Sequence, residues 1–160
     1  MFRFESRLWL PRHITEVFDF FSNALNLEEL TPASLQIHVL TPSPIHIQQG
    51  TVIDYSLKIR GIPLRWRSKI SVWDPPHRFI DEQLRGPYRR WIHEHRFSEH
   101  AGGTTCEDSV KYAPLGGAFI NKLFVEQEVR QIFAYRSQRL LALFPDSKTN
   151  AEPQADLPLP

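Results

Sequence analysis

The sequence predicts an α+β domain in which a curved antiparallel sheet wraps a long C-terminal helix and leaves an internal cavity between them. Two observations carry this expectation. From Phe2 to Tyr112 the chain repeats short stretches of alternating apolar and polar residues, separated at even intervals by Gly- and Pro-containing turns, as an antiparallel meander requires. From Ala118 to Phe144 it has neither Gly nor Pro, and Val125, Val129, Ile132, Phe133, Leu140 and Leu143 fall at helical spacing. No other segment is long enough to cover the buried face of the sheet, and a bent sheet around a single helix encloses space.

The elements follow in order. Phe2, Phe4, Ser6, Leu8 and Leu10 alternate with Arg3, Glu5, Arg7 and Trp9, a half-buried strand that ends at Pro11. Ile14, Val17, Phe18 and Phe21 mark one face of a short helix. A second short helix is expected over Leu25 to Leu30, stopped at Thr31-Pro32 because the residue before a proline avoids the helical region. Leu35, Ile37 and Val39 predict a strand, as do Thr51 to Ile59. Ile62, Leu64, Trp66, Ser68, Ile70 and Val72 predict the inner face of the next one, with Arg65, Arg67 and Lys69 outside. Asp81 to Phe97 reads as a hairpin through Gly86-Pro87, and Thr104 to Tyr112 as the strand after Gly102-Gly103. Residues 1–144 are expected to form one domain. Residues 145–160, polar and punctuated by Pro153, Pro158 and Pro160, read as a disordered tail.

Composition bounds the function. With 160 residues, 41% hydrophobic and 12% aromatic, the chain can bury a substantial core. Nineteen basic residues against 18 acidic ones leave a formal charge of +1, so bulk charge offers no argument for nucleic acid or an anionic membrane. A lone Cys106 excludes an intrachain disulfide. No apolar run approaches the roughly 18 residues of a membrane span. The expectation is a cytoplasmic protein with no nucleic-acid partner, no stable membrane insertion and no cofactor.

The hairpin is the most informative segment. On its second strand Trp91, His93, His95 and Phe97 share one face and Ile92, Glu94 and Arg96 the other. A face that mixes aromatic rings with hydrogen-bonding groups suits an amphipathic pocket, because an unpaired polar group in a dry core costs about 1–3 kcal/mol.

Several segments together resemble the START-like superfamily, also called the helix-grip or SRPBCC fold, which includes polyketide cyclases, Bet v 1-like proteins and coenzyme Q-binding proteins. They are Glu16-Val17-Phe18, Asn26-Leu27-Glu28-Glu29-Leu30-Thr31-Pro32, Gly50-Thr51-Val52-Ile53-Asp54-Tyr55 and Gly61-Ile62-Pro63-Leu64-Arg65-Trp66. Downstream come Asp81-Glu82-Gln83, Gly86-Pro87-Tyr88, Trp91-Ile92-His93-Glu94-His95-Arg96-Phe97 and Tyr112-Ala113-Pro114-Leu115-Gly116-Gly117. The resemblance spans Phe2 to Phe144. It implies a cavity for an apolar or amphipathic molecule and supplies no catalytic motif to carry over.

If Gln83 faces Trp91, then Asp81 lies opposite His93 and Phe79 opposite His95. If Phe97 pairs with Thr104, Asp108 lands beside His93. Two carboxylates flanking an imidazole fix its orientation and favour its charged form, which suits gripping a ligand carbonyl or moving a proton; the same row can also simply organise the sheet. His93 and His95 offer two metal ligands with Asp81 or Asp108 as a third, but without a clear third and fourth ligand no metal is expected. Arg136 sits beside Phe133 at the margin of the helix stripe, placed to hold an acidic ligand group, to pair with Asp81 or Asp108, or to carry its charge out to water. Tyr55, Trp66, Trp91 and Tyr112 fall on the concave face as lumen or as core. Arg65, Arg67, Lys69, Arg85, Arg89 and Arg90 read as solvated charges, the alternative being contact with anionic headgroups or an acidic partner.

The candidate ligand-binding residues are therefore Tyr55, Trp66, Asp81, Gln83, Trp91, His93, His95, Asp108, Tyr112, Phe133 and Arg136. The candidates for proton transfer are His93, Asp81 and Asp108. The expected function is binding or transport of a small hydrophobic or amphipathic partner, lipid-, quinone- or polyketide-like. The alternatives are a cyclase or aromatase using the His/Asp row, and an interaction module with a vestigial cavity. No Ser-His-Asp order or phosphate-cradling glycine loop supports a hydrolase or a kinase.

Overall fold

Alternation along the chain becomes one antiparallel sheet in the computed structural model, which describes residues 1–146. Its strands are β1 (Phe2–Leu10), β2 (His38–Val39), β3 (Val52–Ile59), β4 (Ile62–Asp74), β5 (Arg78–Arg85), β6 (Tyr88–His100) and β7 (Gly103–Pro114). They run in the order β1-β7-β6-β5-β4-β3-β2, so the first and last strands are neighbours and only the β1 and β2 edges stay open. Helices α1 (Ile14–Phe21) and α2 (Asn26–Glu29) connect the two edges. A continuous rod then runs through α3 (Gly117–Ile120), a π-helical turn at Asn121–Val125 and α4 (Glu126–Leu143). The tail expected to be disordered lies, from residue 147 onward, outside the described residues.

The sheet packs one face on the helices. On α4 the buried residues are Val129, Phe133, Arg136 and Leu140, spaced four, three and four apart as a single helical stripe. Val129 and Phe133 meet Val110 and Tyr112 of β7. Leu140 joins the larger cluster of Leu10, Val17, Phe18, Phe79, Phe97 and Cys106, where α1 closes one end of the sheet. Ile53, Tyr55 and Ala24 make a third cluster at the β3 side. Between these three clusters the interior is not filled.

Four expectations need correction. The strand expected over Leu35 to Val39 is only His38–Val39, because Ala33–Leu35 form a 3-10 turn after Pro32 and Gln36 turns left-handed at φ 41°. Val72 does not share the inner face of β4. Ile70 pairs with Asp81 but Val72 with Ile80, so Ser71 is an extra residue on β4. That bulge reverses the alternation and turns Trp73 inward, against Phe18 and Phe79 at 5.1 and 5.8 Å. The β6–β7 turn is centred on Ala101 and Gly102, whose φ values of 49° and 76° fit a two-residue hairpin, rather than on the two glycines. Gly103 is needed for a different reason: a Cβ there would meet the Leu10 carbonyl and the Trp9 indole. The hairpin pairs Phe97 with Cys106 and His95 with Asp108, two residues from the expected register. A shift of two preserves the faces, so Asp108 still points inward. Finally, the C-terminal helix is not uniformly α-helical, since the π turn re-aims its first turns and buries Asn121 while Phe119 remains exposed.

Phe97 is 4% exposed and packs against Phe18, Phe21 and Phe79. Truncating it as Phe97→Ala is expected to cost about 3–5 kcal/mol in urea denaturation with an unchanged slope, as a large cavity in an aromatic cluster does.

Candidate functional site

The unfilled space is a cavity of about 200 Å³ enclosed by the inner face of β3 to β6, the α1–α2 corner and α4. Its wall is largely apolar. Ile53, Leu57 and Ile70 come from the sheet, Phe21 and Leu27 from the corner, and Val129, Ile132 and Phe133 from α4. An aromatic flank is built by Trp66, Tyr88 and Trp91: the two indoles meet edge to face at 5.4 Å, and Tyr88 lies 4.8 Å from Trp91. The Trp66 indole N–H donates to Ser68 Oγ at 3.0 Å, so its polar edge is satisfied and its ring can face the lumen. Tyr55 is also on the wall, and burial followed by the nearby Asp81 charge pushes its hydroxyl above the ordinary tyrosine range.

At one end of the cavity four polar side chains close a square. Asp81 on β5 is paired with His93 on β6, and His95 on β6 with Asp108 on β7. His93 Nε2–H donates to Asp108 Oδ1 at 2.8 Å, and His95 Nε2–H donates to Asp81 Oδ2 at 3.3 Å. His95 Nδ1 lies 2.9 Å from Asp108 Oδ1, at an angle too bent for a hydrogen bond. His93 Nδ1 is 3.6 Å from Asp81 Oδ2. The rings are 3.8 Å apart, and Phe79 stacks on His95 at 4.2 Å while Phe133 meets His93 edge-on at 5.3 Å. Ser6 Oγ reaches the second oxygen of Asp108 at 3.5 Å.

Electrostatics separates these groups. Burial opposes charge on Asp108, but the Arg136 field, the bond from His93 and the adjacent His95 ring hold its carboxyl well below the usual range. Asp81 is likewise held low against burial by the His95 bond and the charges of the two rings and Arg136. Burial, then the neighbouring His95, pushes His93 below an ordinary imidazole. Burial pulls His95 the same way, yet its contacts with Asp108 and Asp81 outweigh it and raise the ring. Its carboxylates thus favour the cationic form of His95, whereas burial favours the neutral form of His93. With Nε2–H committed to Asp108, a neutral His93 carries its lone pair on Nδ1, the nitrogen on the Asp81 side.

Arg136 enters from α4. It is 9% exposed, and its guanidinium carbon lies 4.9 Å from the Phe21 ring centre and 5.9 Å from that of Phe133. Among the described residues it makes no ion pair within 4 Å, and its buried Nε has no hydrogen-bond partner there. The carboxylates that could have met it are engaged with the histidines instead.

The structure thus places Tyr55, Trp66, Asp81, Trp91, His93, His95, Phe133 and Arg136 on the cavity wall. It does not place Gln83, Asp108 or Tyr112 there. The Gln83 amide donates to the Tyr88 carbonyl at 2.7 Å and accepts from the Tyr88 N–H, so it clamps the Gly86-Pro87 turn. Tyr112, 2% exposed, fills core between Phe2, Tyr88 and Trp91. Asp108 stands behind the two rings. Sequence reasoning missed Phe21, Tyr88, Leu27 and Glu128 as wall residues. Phe21 carried a signal in its helical spacing, but that spacing reads equally as core. The Arg67 pair with Asp54, and Arg96 with Glu94, lie on the outer face with the other strand charges.

Cys106 lies in the core beside this site. Burial, and then the Asp108 charge, pushes its thiol up to about 12. No helix among the described residues is long and apolar enough to cross a membrane.

Comparison with known proteins agrees with the geometry. The family described as polyketide cyclase / dehydrase and lipid transport matches residues 10–134. No curated protein matches the chain. Among solved structures, a protein of Chromobacterium violaceum superposes with a TM-score of 0.72 at 15% identity, over 91% of this chain and 100% of that one. The Zhui aromatase/cyclase of a Streptomyces species gives 0.69 at 13% identity, over 89% and 92%. Ginseng major latex-like protein 151 gives 0.67 at 10% identity, over 91% and 98%. At these identities the structures share the fold with this chain.

With its thiol held neutral and buried, Cys106 is expected to resist iodoacetamide at pH 8 in the folded protein and to react in urea. Equal labelling in both states, read by mass spectrometry, would contradict the packing described around it.

Proposed function

We propose a binding function for this chain, which belongs to the polyketide cyclase / dehydrase and lipid transport family: the cavity takes up one small hydrophobic or amphipathic molecule, lipid-, quinone- or polyketide-like, and no reaction is required of it. The observation that carries this reading is an apolar chamber with a single polar end. A uniformly greasy cavity selects by size alone, whereas here Arg136 brings a charge and an unpaired Nε–H to one end of an aromatic and aliphatic wall. A guest with an apolar body and an oxygen headgroup satisfies both parts. Its body gains about 25 cal/mol for each Å² of apolar surface removed from water. The headgroup accepts from the Arg136 Nε–H, and a hydrogen bond to a charged group contributes about 1.5–3 kcal/mol.

Native mass spectrometry of protein purified from its own host is expected to show a copurifying small molecule, and dodecanoate or dodecanol is expected to displace a naphthalene-sulfonate dye from emptied protein. Arg136→Met should weaken dodecanoate by about tenfold or more, equal to about 1.4 kcal/mol, while sparing dodecanol. Ala24→Phe, which fills the cavity from the α1–α2 corner, should weaken both. An empty native protein that also ignores dye and both lipids overturns the binding function and leaves the cavity vestigial.

A second reading has its own observation. His93 lies on the cavity wall with Nε2 bonded to Asp108 and Nδ1 on the Asp81 side, an arrangement suited to taking a proton from a bound carbonyl compound in a cyclase- or aromatase-type reaction. For a ligand recovered from the native protein, His93→Ala should abolish turnover while binding persists. Unchanged turnover removes the assignment.

A further inference from the structure

Each histidine of the square presents its two ring nitrogens to different carboxylates. His93 sends Nε2 to Asp108 and Nδ1 toward Asp81, at 2.8 and 3.6 Å. His95 sends Nδ1 to Asp108 and Nε2 to Asp81, at 2.9 and 3.3 Å. The carboxylates are not equivalent, because Asp81 lines the cavity with both rings while Asp108 lies behind them. One donor atom from each of Asp81, His93 and His95 lies within 4.8 Å of the other two. Among the described residues no other three such side chains converge in this way.

We propose that Asp81, His93 and His95 form a two-histidine, one-carboxylate site for a divalent transition-metal ion on the cavity wall, with Asp108 as the outer carboxylate that holds the rear ring nitrogens. The spacing supports it. A four-coordinate ion with bonds of about 2.1 Å separates its ligand atoms by about 3.4 Å, and the two separations from Asp81 Oδ2, to His95 Nε2 and His93 Nδ1, are 3.3 and 3.6 Å. The donor set supports it as well: two imidazoles and one carboxylate suit zinc, iron, cobalt or nickel rather than magnesium or calcium, which take oxygen ligands. Hydrogen-bonded carboxylates behind ligating histidines are the usual outer shell of such sites, where they set ring orientation and raise basicity.

Charge is consistent with this. With His95 as the cationic ring, its charge and that of Arg136 balance the two carboxylates. A divalent ion that replaces the His95 proton leaves one net positive charge, which a hydroxide or a ligand oxyanion in the open position cancels. On binding, the ion takes the position of the hydrogen between Asp81 and His95, and that proton leaves to solvent. Arg136 lies within the field of both carboxylates but is not a ligand, and its unpaired Nε–H is available to the anion that fills the open position. Spacing along one strand supplies only His93 and His95; the third donor comes from the neighbouring strand. The site does not depend on the lipid-binding function, since the metal alone tests it.

The full-length protein is stripped with EDTA and titrated with Co(II), read by the visible absorption of the bound ion, and then challenged with Zn(II). One equivalent per chain is expected, displaced by Zn(II). Asp81→Asn and His95→Gln should abolish stoichiometric binding, Asp108→Asn should weaken it by about 10–100-fold, and the surface variant His100→Gln should change nothing. Far-UV circular dichroism establishes that each variant is folded. Independently of any variant, Co(II) should perturb the ring proton signals of His93 and His95 in the wild type and leave those of His13 and His100 unmoved. Absence of a tight equivalent, retention of it in folded Asp81→Asn or His95→Gln, or perturbation confined to the surface histidines overturns the site.

Discussion

Side-chain alternation across β5, β6 and β7 is the constraint on which the rest depends. Every second residue of these strands faces α4, so their mutual register decides at one stroke what the interior contains. In the observed register Phe79 stands beside His95, Asp81 beside His93, and Asp108 beside His95, all inward. Displacing β6 by one residue would turn Ile92, Glu94 and Arg96 inside and carry both histidines to water. The inner carboxylates would then lose their partners, and a buried charge stripped of its partner costs about 3–5 kcal/mol. Register, burial and the polar cluster are therefore a single cooperative choice.

That cluster also explains why an apolar cavity tolerates ionised groups. Desolvation works against every member, and the others oppose it: the histidines and Arg136 hold the carboxylates low, and the carboxylates raise His95. Hydrophobic residues of similar volume would give a core at least as stable, so such a group is a weak argument for stability and a better one for a role in the cavity. Arg136 connects this end of the sheet to α4. Its charge reaches Asp108 through the low-dielectric interior while its plane rests between Phe21 and Phe133. Helix, corner and sheet thus each contribute to the one polar end of the chamber.

Most of the architecture was legible in the chain because its signals are local. Period-two alternation marked the long strands, the Gly- and Pro-free stretch marked the terminal helix, and the resemblance in motifs such as Gly86-Pro87-Tyr88 and Trp91-Ile92-His93-Glu94-His95 agreed with both. What failed was small in sequence and large in geometry. One inserted residue, Ser71, exchanged Val72 for Trp73 on the inner face. Ala101 in a left-handed conformation carried the last hairpin two residues away from the expected register. The π turn at Asn121–Val125 re-aimed the start of the terminal helix. None of these leaves a periodic trace, since each is a single local departure from the period itself.

The sequence by itself determined that a mixed aromatic and imidazole face would line the concave side of a sheet gripping its last helix, because strand alternation and helix spacing are intrinsic to the backbone. Only the tertiary structure decided that Gln83 and Tyr112 serve the turn and the core, that Asp108 stands behind the rings, and that Arg136 is buried with its Nε–H unpaired among the described residues. These are relations among residues on different strands and on α4, and distances between separate elements arise only when they pack.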